Sequence, residues 1–325
     1  MHGLVTVFGG SGFVGGQVVR ALAKRGMRIR VAVRNPGQGY KLRMLGDVGQ
    51  IEVVQANIRM PASVARALDG AEGCVNLVAV MHERGRQKFQ SLHAMGARNV
   101  AEAAKTAGVT RLVHVSAIGA DPHSPSKYAR TKAMGEAAAR EVMPSATILR
   151  PSIVFGPEDD FFNRFARMAC ASPVLPLIGG GLTRFQPVFV GDVAGAVAAC
   201  LLDADTAGKT YELGGPGVFT FKALMERLCQ EIGRKPILVP IPFGVASLIG
   251  LGGDLVNLQP FPIAPPLTTD QVILLRADNV VTPGALTLAD LKVAPTALEP
   301  ILPSYLYRYR KGGQYADQLT AAAKA

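Results

Sequence analysis

Through residue 202 the chain alternates short apolar runs with longer stretches in which apolar positions return every three or four residues. The runs at 5–8, 29–33, 51–54, 74–78, 111–115, 146–149 and 188–190 are strand-length and rich in Val and Ile, so they read as strands of a parallel sheet covered from both sides. The stretches between them read as amphipathic helices. Val18, Val19, Leu22 and Ala23 share one face, and Gly26 supplies the stop. Strand and helix in alternation predict an α/β protein, a Rossmann-type doubly wound parallel sheet.

After Pro151 the alternation gives way to Pro and Gly and returns only at 188–202, as a strand followed by a helix. This predicts two lobes interleaved in sequence. Residues 1–154 plus 185–208 form an NAD(P)-binding domain, and 155–184 plus 209–325 form a smaller C-terminal α/β lobe, with a cleft between them. Residues 237–253 carry no charge, but Pro240, Pro242, Gly244, Gly250 and Gly252 interrupt them and the stretch is too short to span a bilayer. It reads as a buried part of the smaller lobe, with a surface for membrane or a partner subunit as the alternative. The tail from Tyr305 to Lys311 mixes aromatic and basic side chains, as interfacial anchors do.

The 325 residues are 49% hydrophobic, enough for a substantial core. Cys74, Cys170, Cys200 and Cys229 form no C-x-x-C pair and read as buried thiols in a reducing compartment. The first strand begins close to Met1 and leaves no room for a signal peptide or presequence, which predicts a cytoplasmic protein or one whose targeting segment is missing from this sequence. A net charge of +11 favours an anionic partner, whether nucleotide phosphate, membrane surface or acidic protein face, or else serves solubility. No base-reading or RNA-binding motif accompanies that charge, and the histidines at 2, 82, 93, 114 and 123 lack metal-ligand spacing. Neither nucleic acid nor metal is expected.

The candidate chemistry starts where strand 5–8 runs into Gly9-Gly10-Ser11-Gly12-Phe13-Val14-Gly15, with G-x-x-G-x-x-G spacing. Gly9 permits a tight turn, Gly12 lets the backbone approach a pyrophosphate, and Gly15 lets the helix pack closely on the strand. Ser11 and the free N–H groups around Phe13 and Val14 would meet the phosphates. A nucleophile elbow is excluded, because Phe13 stands where G-x-S-x-G needs Gly. Downstream, Tyr128-Ala129-Arg130-Thr131-Lys132 sets a phenol and an ammonium on one helix face. The cation is expected to favour the phenolate, so that Tyr128 can shuttle a proton near neutrality. Glu158, Asp159 and Asp160 follow Pro157 at an expected helix start and read as complements to its dipole.

The glycine turn, the strand ending His114-Val115-Ser116 and the Tyr128/Lys132 pair after it resemble the short-chain dehydrogenase/reductase superfamily over residues 3 to about 215. Arg150-Pro151 and Val190-Gly191-Asp192-Val193 resemble later motifs of its extended or atypical branch. The resemblance implies Tyr128, Lys132 and Ser116 as catalytic groups, with Lys132 also holding the nicotinamide ribose. The superfamily usually polarises the substrate carbonyl with the second residue of a Ser-Ser pair. Here the pair reads Ser116-Ala117, so turnover depends on Ser116 facing the nicotinamide. Asn57-Ile58 resembles the superfamily's adenine-contacting pair with Asn in place of Asp, and Val78, Ala79, Val115, Pro151 and Ile153 are implied to line the cofactor. Arg34 ends the second strand, Lys41 and Arg43 follow, and no acid lies between Arg28 and Gly46. That favours NADP(H), with NAD(H) as the alternative.

Two longer runs, Ser126 to Glu136 and Leu149 to Phe165, are similar to the family of the NADPH-binding accessory subunit of respiratory complex I, subunit 9 of the alpha subcomplex, and its bacterial relatives. That similarity implies a structural NADP(H), complex I subunits as partners, and an accessory or assembly role for NADH:ubiquinone oxidoreductase. It also implies a peripheral place on the cytoplasmic face of the inner membrane, or the matrix side in a mitochondrion. The alternative is an active NAD(P)H-dependent reductase, or a sugar-nucleotide-type epimerase or dehydratase, working through Tyr128 and Lys132.

Overall fold

The computed structural model describes residues 3–257 and 267–315. Its first half alternates β1 (Leu4–Phe8), α1 (Phe13–Ala23), β2 (Arg28–Val33), β3 (Ile51–Gln55), α2 (Pro61–Leu68), β4 (Ala71–Asn76), α3 (Met95–Thr106), β5 (Arg111–Val115), α4 (Lys127–Val142) and β6 (Thr147–Pro151). The second half adds β7 (Val154–Phe155), α5 (Phe161–Ala171), β8 (Val174–Ile178), β9 (Arg184–Phe185), β10 (Val188–Phe189), α6 (Val190–Leu202) and β11 (Thr210–Leu213). It closes with β12 (Phe219–Thr220), α7 (Phe221–Ile232), β13 (Ile237–Ile241), α8 (Phe243–Asn257), α9 (Thr269–Leu274) and α10 (Leu302–Leu306).

Seven strands make one parallel sheet in the order β11-β6-β5-β4-β1-β2-β3. The strands are apolar along both faces because both are covered. On one side Val18, Val19 and Leu22 of α1 join Val193, Val197 and Leu201 of α6. On the other, Val64 and Leu68 of α2, Val100 and Ala104 of α3 and Ala139 of α4 form a second core. Strand order reverses direction between β1 and β4, which opens a crevice at the carboxyl ends of the strands, where such sheets bind ligands.

Strand 111–115 is observed as expected, whereas three expectations need correction. The run 74–78 is strand only to Asn76 and begins at Ala71. The run 188–190 contributes only a two-residue strand, paired with β7 outside the main sheet, and Val190 already belongs to α6. The seventh strand of the main sheet is instead β11, inside the 209–325 stretch assigned to the smaller lobe, and Leu288 and Leu291 of that stretch also enter the first core.

The stretches expected to form the smaller lobe share a third core, in which Phe162 of α5, Leu175 of β8, Phe221 and Leu228 of α7, and Tyr305 and Leu306 of α10 pack together. Asp159 does more there than complement a dipole. It is buried, and its carboxylate accepts from the N–H groups of Gly156 and Asn163 and from the Tyr305 hydroxyl. Burial pushes its pKa above the usual carboxylate range. The 305–311 tail is thus tied inward: Arg308 donates to Pro157 O and Asn163 Oδ1, and Arg310 to Glu231 O. Of the four cysteines expected to be buried, Cys170 is exposed.

The uncharged stretch 237–253 departs most from expectation. Helix α8 buries three of its small residues, Ala246, Gly250 and Gly253, and turns its large ones outward: Leu248 is 71% exposed, Leu251 57% and Leu255 60%. A Cβ on Gly250 would stand 2.8 Å from the Thr269 backbone nitrogen, so that glycine permits α8 to lie directly on α9. No described helix is long and apolar enough to cross a membrane.

Candidate functional site

The glycine turn takes the expected form at the end of β1. Gly9 has φ +82°, a conformation L side chains rarely adopt, and Gly12 N–H donates to its carbonyl at 3.1 Å. A Cβ on Gly15 would stand 2.3 Å from Gly9 O, so only glycine lets α1 sit this close to the strand. No side chain caps the first turn of α1. Its leading N–H groups, around Phe13 and Val14, therefore remain available to an anion. Gly12 is exposed beside them, with Ser11 half-buried, and a Cβ on Gly12 would meet only Gly9 O within 4 Å. Its protein surroundings do not demand glycine, whereas close approach by a phosphate does.

The other strand ends converge on the same edge of the sheet. After β4, Asn76 Oδ1 accepts from Val78 N–H at 3.2 Å and its amide meets His114 Nδ1 of β5 at 3.2 Å. That pairing shapes the turn presenting Val78, half-buried, and Ala79, exposed. Val115 ends β5, Pro151 ends β6, and Ile153 follows half-buried, its N–H donated to Asn279 Oδ1. Ser116 is buried and its hydroxyl has no hydrogen-bond partner among the described residues. A buried hydroxyl left unpaired is costly, so an orphan here marks a place where a ligand oxygen can complete it.

Tyr128 and Lys132 are both on α4. Lys132 is 2% exposed and its ammonium donates to Val115 O at 2.8 Å. Burial lowers its pKa to about 8, against a raising contribution from Glu136. The expectation that this cation softens the phenol is not met. Tyr128 is pushed up to about 12, first by burial and then by the negative charge of Asp270. Around the ring, Phe89 lies edge-on at 5.8 Å and His93 at 5.4 Å. His93 sits on a π-helical turn, Gln90–Ala94, of the kind that often marks functional sites. Its Nε2 accepts from Val80 N–H and its Nδ1 lies 3.1 Å from Thr131 Oγ1, which assigns the ring proton to Nδ1. Burial and the charge of Lys132 bring the His93 pKa down to about 3, and the ring stays neutral.

At the adenosine end, Arg34, Lys41 and Arg43 are exposed around the carboxyl end of β2, and the Arg43 guanidinium lies 5.0 Å over the Tyr40 ring. Asn57 accepts from Arg59 N–H at 3.1 Å, which leaves its amide N–H groups for a base. Ile58 is turned into the second core against Gly96, away from the crevice. The Val190–Val193 motif fastens the helix it opens, because the Asp192 carboxylate accepts from Thr296 N–H at 2.6 Å and Thr296 Oγ1 at 2.8 Å. Arg150 lies in a half-buried ion network with Glu136, at 2.7 Å, and Glu212, at 3.5 Å. No cluster of His, Cys, Asp or Glu suited to a metal lies among the described residues.

Sequence reasoning missed two groups at this site. His93 carries no local signal beyond its apolar surroundings. Asp270 lies within a capping box, Thr268 to Gln271, legible as a helix start but not as a neighbour of Tyr128.

The fold and the glycine turn define a dinucleotide-binding α/β protein with a tyrosine-lysine pair one turn apart on α4. The chain belongs to the NAD dependent epimerase/dehydratase family, whose model matches residues 5–214. It is 37% identical over 316 residues, 95% of this chain and 79% of the relative, to the mitochondrial NADH dehydrogenase [ubiquinone] 1 alpha subcomplex subunit 9 of Arabidopsis thaliana. The mouse protein of the same name is 35% identical over 94% of this chain and 80% of its own length. A ceramide reductase of Caulobacter vibrioides is 34% identical over 74% of each chain. Among solved structures, Citrobacter triphenylmethane reductase complexed with NADP(H) matches with TM-score 0.73 at 23% identity, over 93% of this chain and 99% of that one. That likeness bears on the fold alone.

Proposed function

We propose that this protein is an NADP(H)-binding accessory or assembly factor of respiratory NADH:ubiquinone oxidoreductase, in which the nucleotide has a structural role. The observation that carries the reading is 30–37% identity, over 94–95% of this chain, to complex I subunits of plant, slime mould, rodent and fungus. The residues present fit a dinucleotide: the Gly9-Gly12-Gly15 cradle takes the pyrophosphate, Lys132 the ribose, and the orphaned Ser116 hydroxyl a group beside the nicotinamide. Bound NADPH supplies a hydride where a carbonyl is in reach. A native state that alone binds the nucleotide gains about 4 kcal/mol at 1,000 times Kd, a large share of a domain's stability. Partner chemistry is supplied by α8, whose exposed leucines suit a peripheral site on the inner membrane or against membrane-arm subunits.

The test is to isolate the protein gently from native membranes and identify what comes with it. NADP(H) released on denaturation, complex I subunits alongside, and a lower Tm after nucleotide removal support the reading. Absence of binding to either coenzyme overturns it. For the preference between coenzymes, Arg34→Glu is expected to weaken NADPH binding at least tenfold more than NADH binding, since it replaces a phosphate partner with a like charge. Equal losses would remove the 2′-phosphate assignment.

The second reading, an active reductase or epimerase, is favoured by the buried Ser116 hydroxyl, whose unused donor would suit a substrate carbonyl. NADPH consumed with a carbonyl substrate, and abolished by Tyr128→Phe without loss of nucleotide affinity, would establish it.

A further inference from the structure

Helix α4 starts with a feature its own sequence does not supply. Ser126 caps it locally, accepting from Ala129 N–H at 3.2 Å, but no acidic residue lies in its first turn. The missing anion comes from α9, 142 to 144 residues away. Asp270 Oδ1 accepts from Lys127 N–H at 2.6 Å, and its Oδ2 accepts from Tyr128 N–H at 3.1 Å and from the Ser126 hydroxyl at 2.9 Å. Three donors of one turn, including the backbone N–H of Tyr128 itself, therefore converge on one carboxylate. An anion against a helix N-terminus is stabilised by the unpaired N–H groups and the dipole there.

We infer that Asp270 is a positioning residue: the smaller lobe reaches across through α9 to fix the first turn of α4, setting the Tyr128 phenol in the crevice and holding it as a proton donor. The inference rests on Tyr128 facing the bound nucleotide, as in the proposed function. Charge distinguishes this clamp from an ordinary cap. Of the titratable groups around the Tyr128 ring, His93 is neutral, Lys132 turns its ammonium to Val115 O, and Asp270 brings the negative charge. The Asp270 carboxylate sits at the Tyr128 backbone N–H, and its charge opposes ionisation of the phenol of that residue. The arrangement favours giving a proton to a ligand oxygen over taking one, the polarity needed for carbonyl reduction. A bound oxygen that only accepts is likewise suited by a phenol kept protonated.

The experiment uses the full chain with 3,5-difluorotyrosine in place of Tyr128, whose fluorines report that one ring and whose phenol ionises low enough to titrate while the fold survives. The 19F titration is compared between the Asp270 protein, Asp270→Asn and Asp270→Glu. Asp270→Asn keeps an oxygen for the N–H groups but removes the charge, so the midpoint is expected to fall by about one pH unit, a tenfold change in ionisation. Asp270→Glu is expected to restore it, and Asp270→Ala to broaden or split the fluorine signal as the turn loosens. Lower melting with an unmoved midpoint in Asp270→Asn would overturn the proposal and leave Asp270 a structural cap. NADPH affinity of the unsubstituted chain is measured alongside: its absence would remove the nucleotide reading while the fluorine result still judges the clamp.

Discussion

The Ser116 hydroxyl and the Lys132 ammonium are buried polar groups with opposite fates, and each carries a prediction. Ser116 Oγ has no partner among the described residues, so Ser116→Ala removes a group that is only solvation cost in the nucleotide-free fold. Without nucleotide, Ser116→Ala is expected to melt within about 0.5 kcal/mol of the parent or above it, while any carbonyl-directed activity falls. A loss of several kcal/mol in thermal denaturation would mean the hydroxyl has a partner. Lys132 does have one, Val115 O, but burial lowers its pKa from 10.5 to about 8. Between about pH 8 and 10 the unfolded chain keeps a proton there that the folded chain has released, so this group adds stability as pH rises through that window and loses it as pH falls through 8. The parent's stability, compared with Lys132→Met by denaturant titration at pH 7 and pH 10, is expected to rise with pH by more than the variant's. Much at this scale was legible, because glycine spacing and a Tyr-x-x-x-Lys pair are local signals. Asp270 was not: its partners at Ser126, Lys127 and Tyr128 lie far away in sequence, and only the fold joins them.

Elements were legible where a single cause makes them. Strand β5 is buried along its middle, Leu112 to His114, and its apolar Leu112, Val113 and Val115 mark it, so its bounds came out as expected. Strand β11 did not, because Glu212 in its middle is polar by sequence. That charge is hidden by Arg150 and by donation from Thr282 N–H at 2.8 Å, a network formed only once β6 and β11 pair. Val188 to Val190 misled in the other direction, since an apolar β-branched run can equally open a buried helix such as α6. The close approach of α1 to the turn after β1 sets a prediction of its own. With the Cβ site of Gly15 only 2.6 Å from Gly10 Cα, Gly15→Ala must push the helix off the strand. Such overpacking costs about 1–3 kcal/mol. The displacement also misaligns the turn, so NADP(H) affinity is expected to fall more than stability alone requires. Calorimetry finding unchanged affinity in a destabilised Gly15→Ala protein would mean that the turn does not hold the phosphates.

At the scale of the whole molecule, the sheet and the smaller lobe meet twice around one site: Asp270 of α9 clamps α4, and Asn279 accepts from Ser152 and Ile153 beyond β6. Helix α8 lies on α9 at Gly250, buries Ala246 and Gly253 as well, and faces outward with leucine and valine. An uncharged stretch suggests burial when read alone. Its small residues pack so closely that the large ones have nowhere to go but out, which reverses that reading. Large apolar side chains exposed together on one helix add little to the core and are free to meet a partner or a membrane, so the proposed docking role and stability separate there. Changing Leu248→Asp, Leu251→Asp and Leu255→Asp together leaves every buried contact in place, and the melting temperature is expected to move by no more than about 2 °C. Association is expected to fall sharply, read as co-fractionation with native membranes and flotation with anionic vesicles, while NADPH affinity is kept. If the triple variant floats and co-fractionates as the parent does, α8 is not the face by which this protein is held. If it unfolds, those leucines are covered by the chain itself and the surface assignment fails.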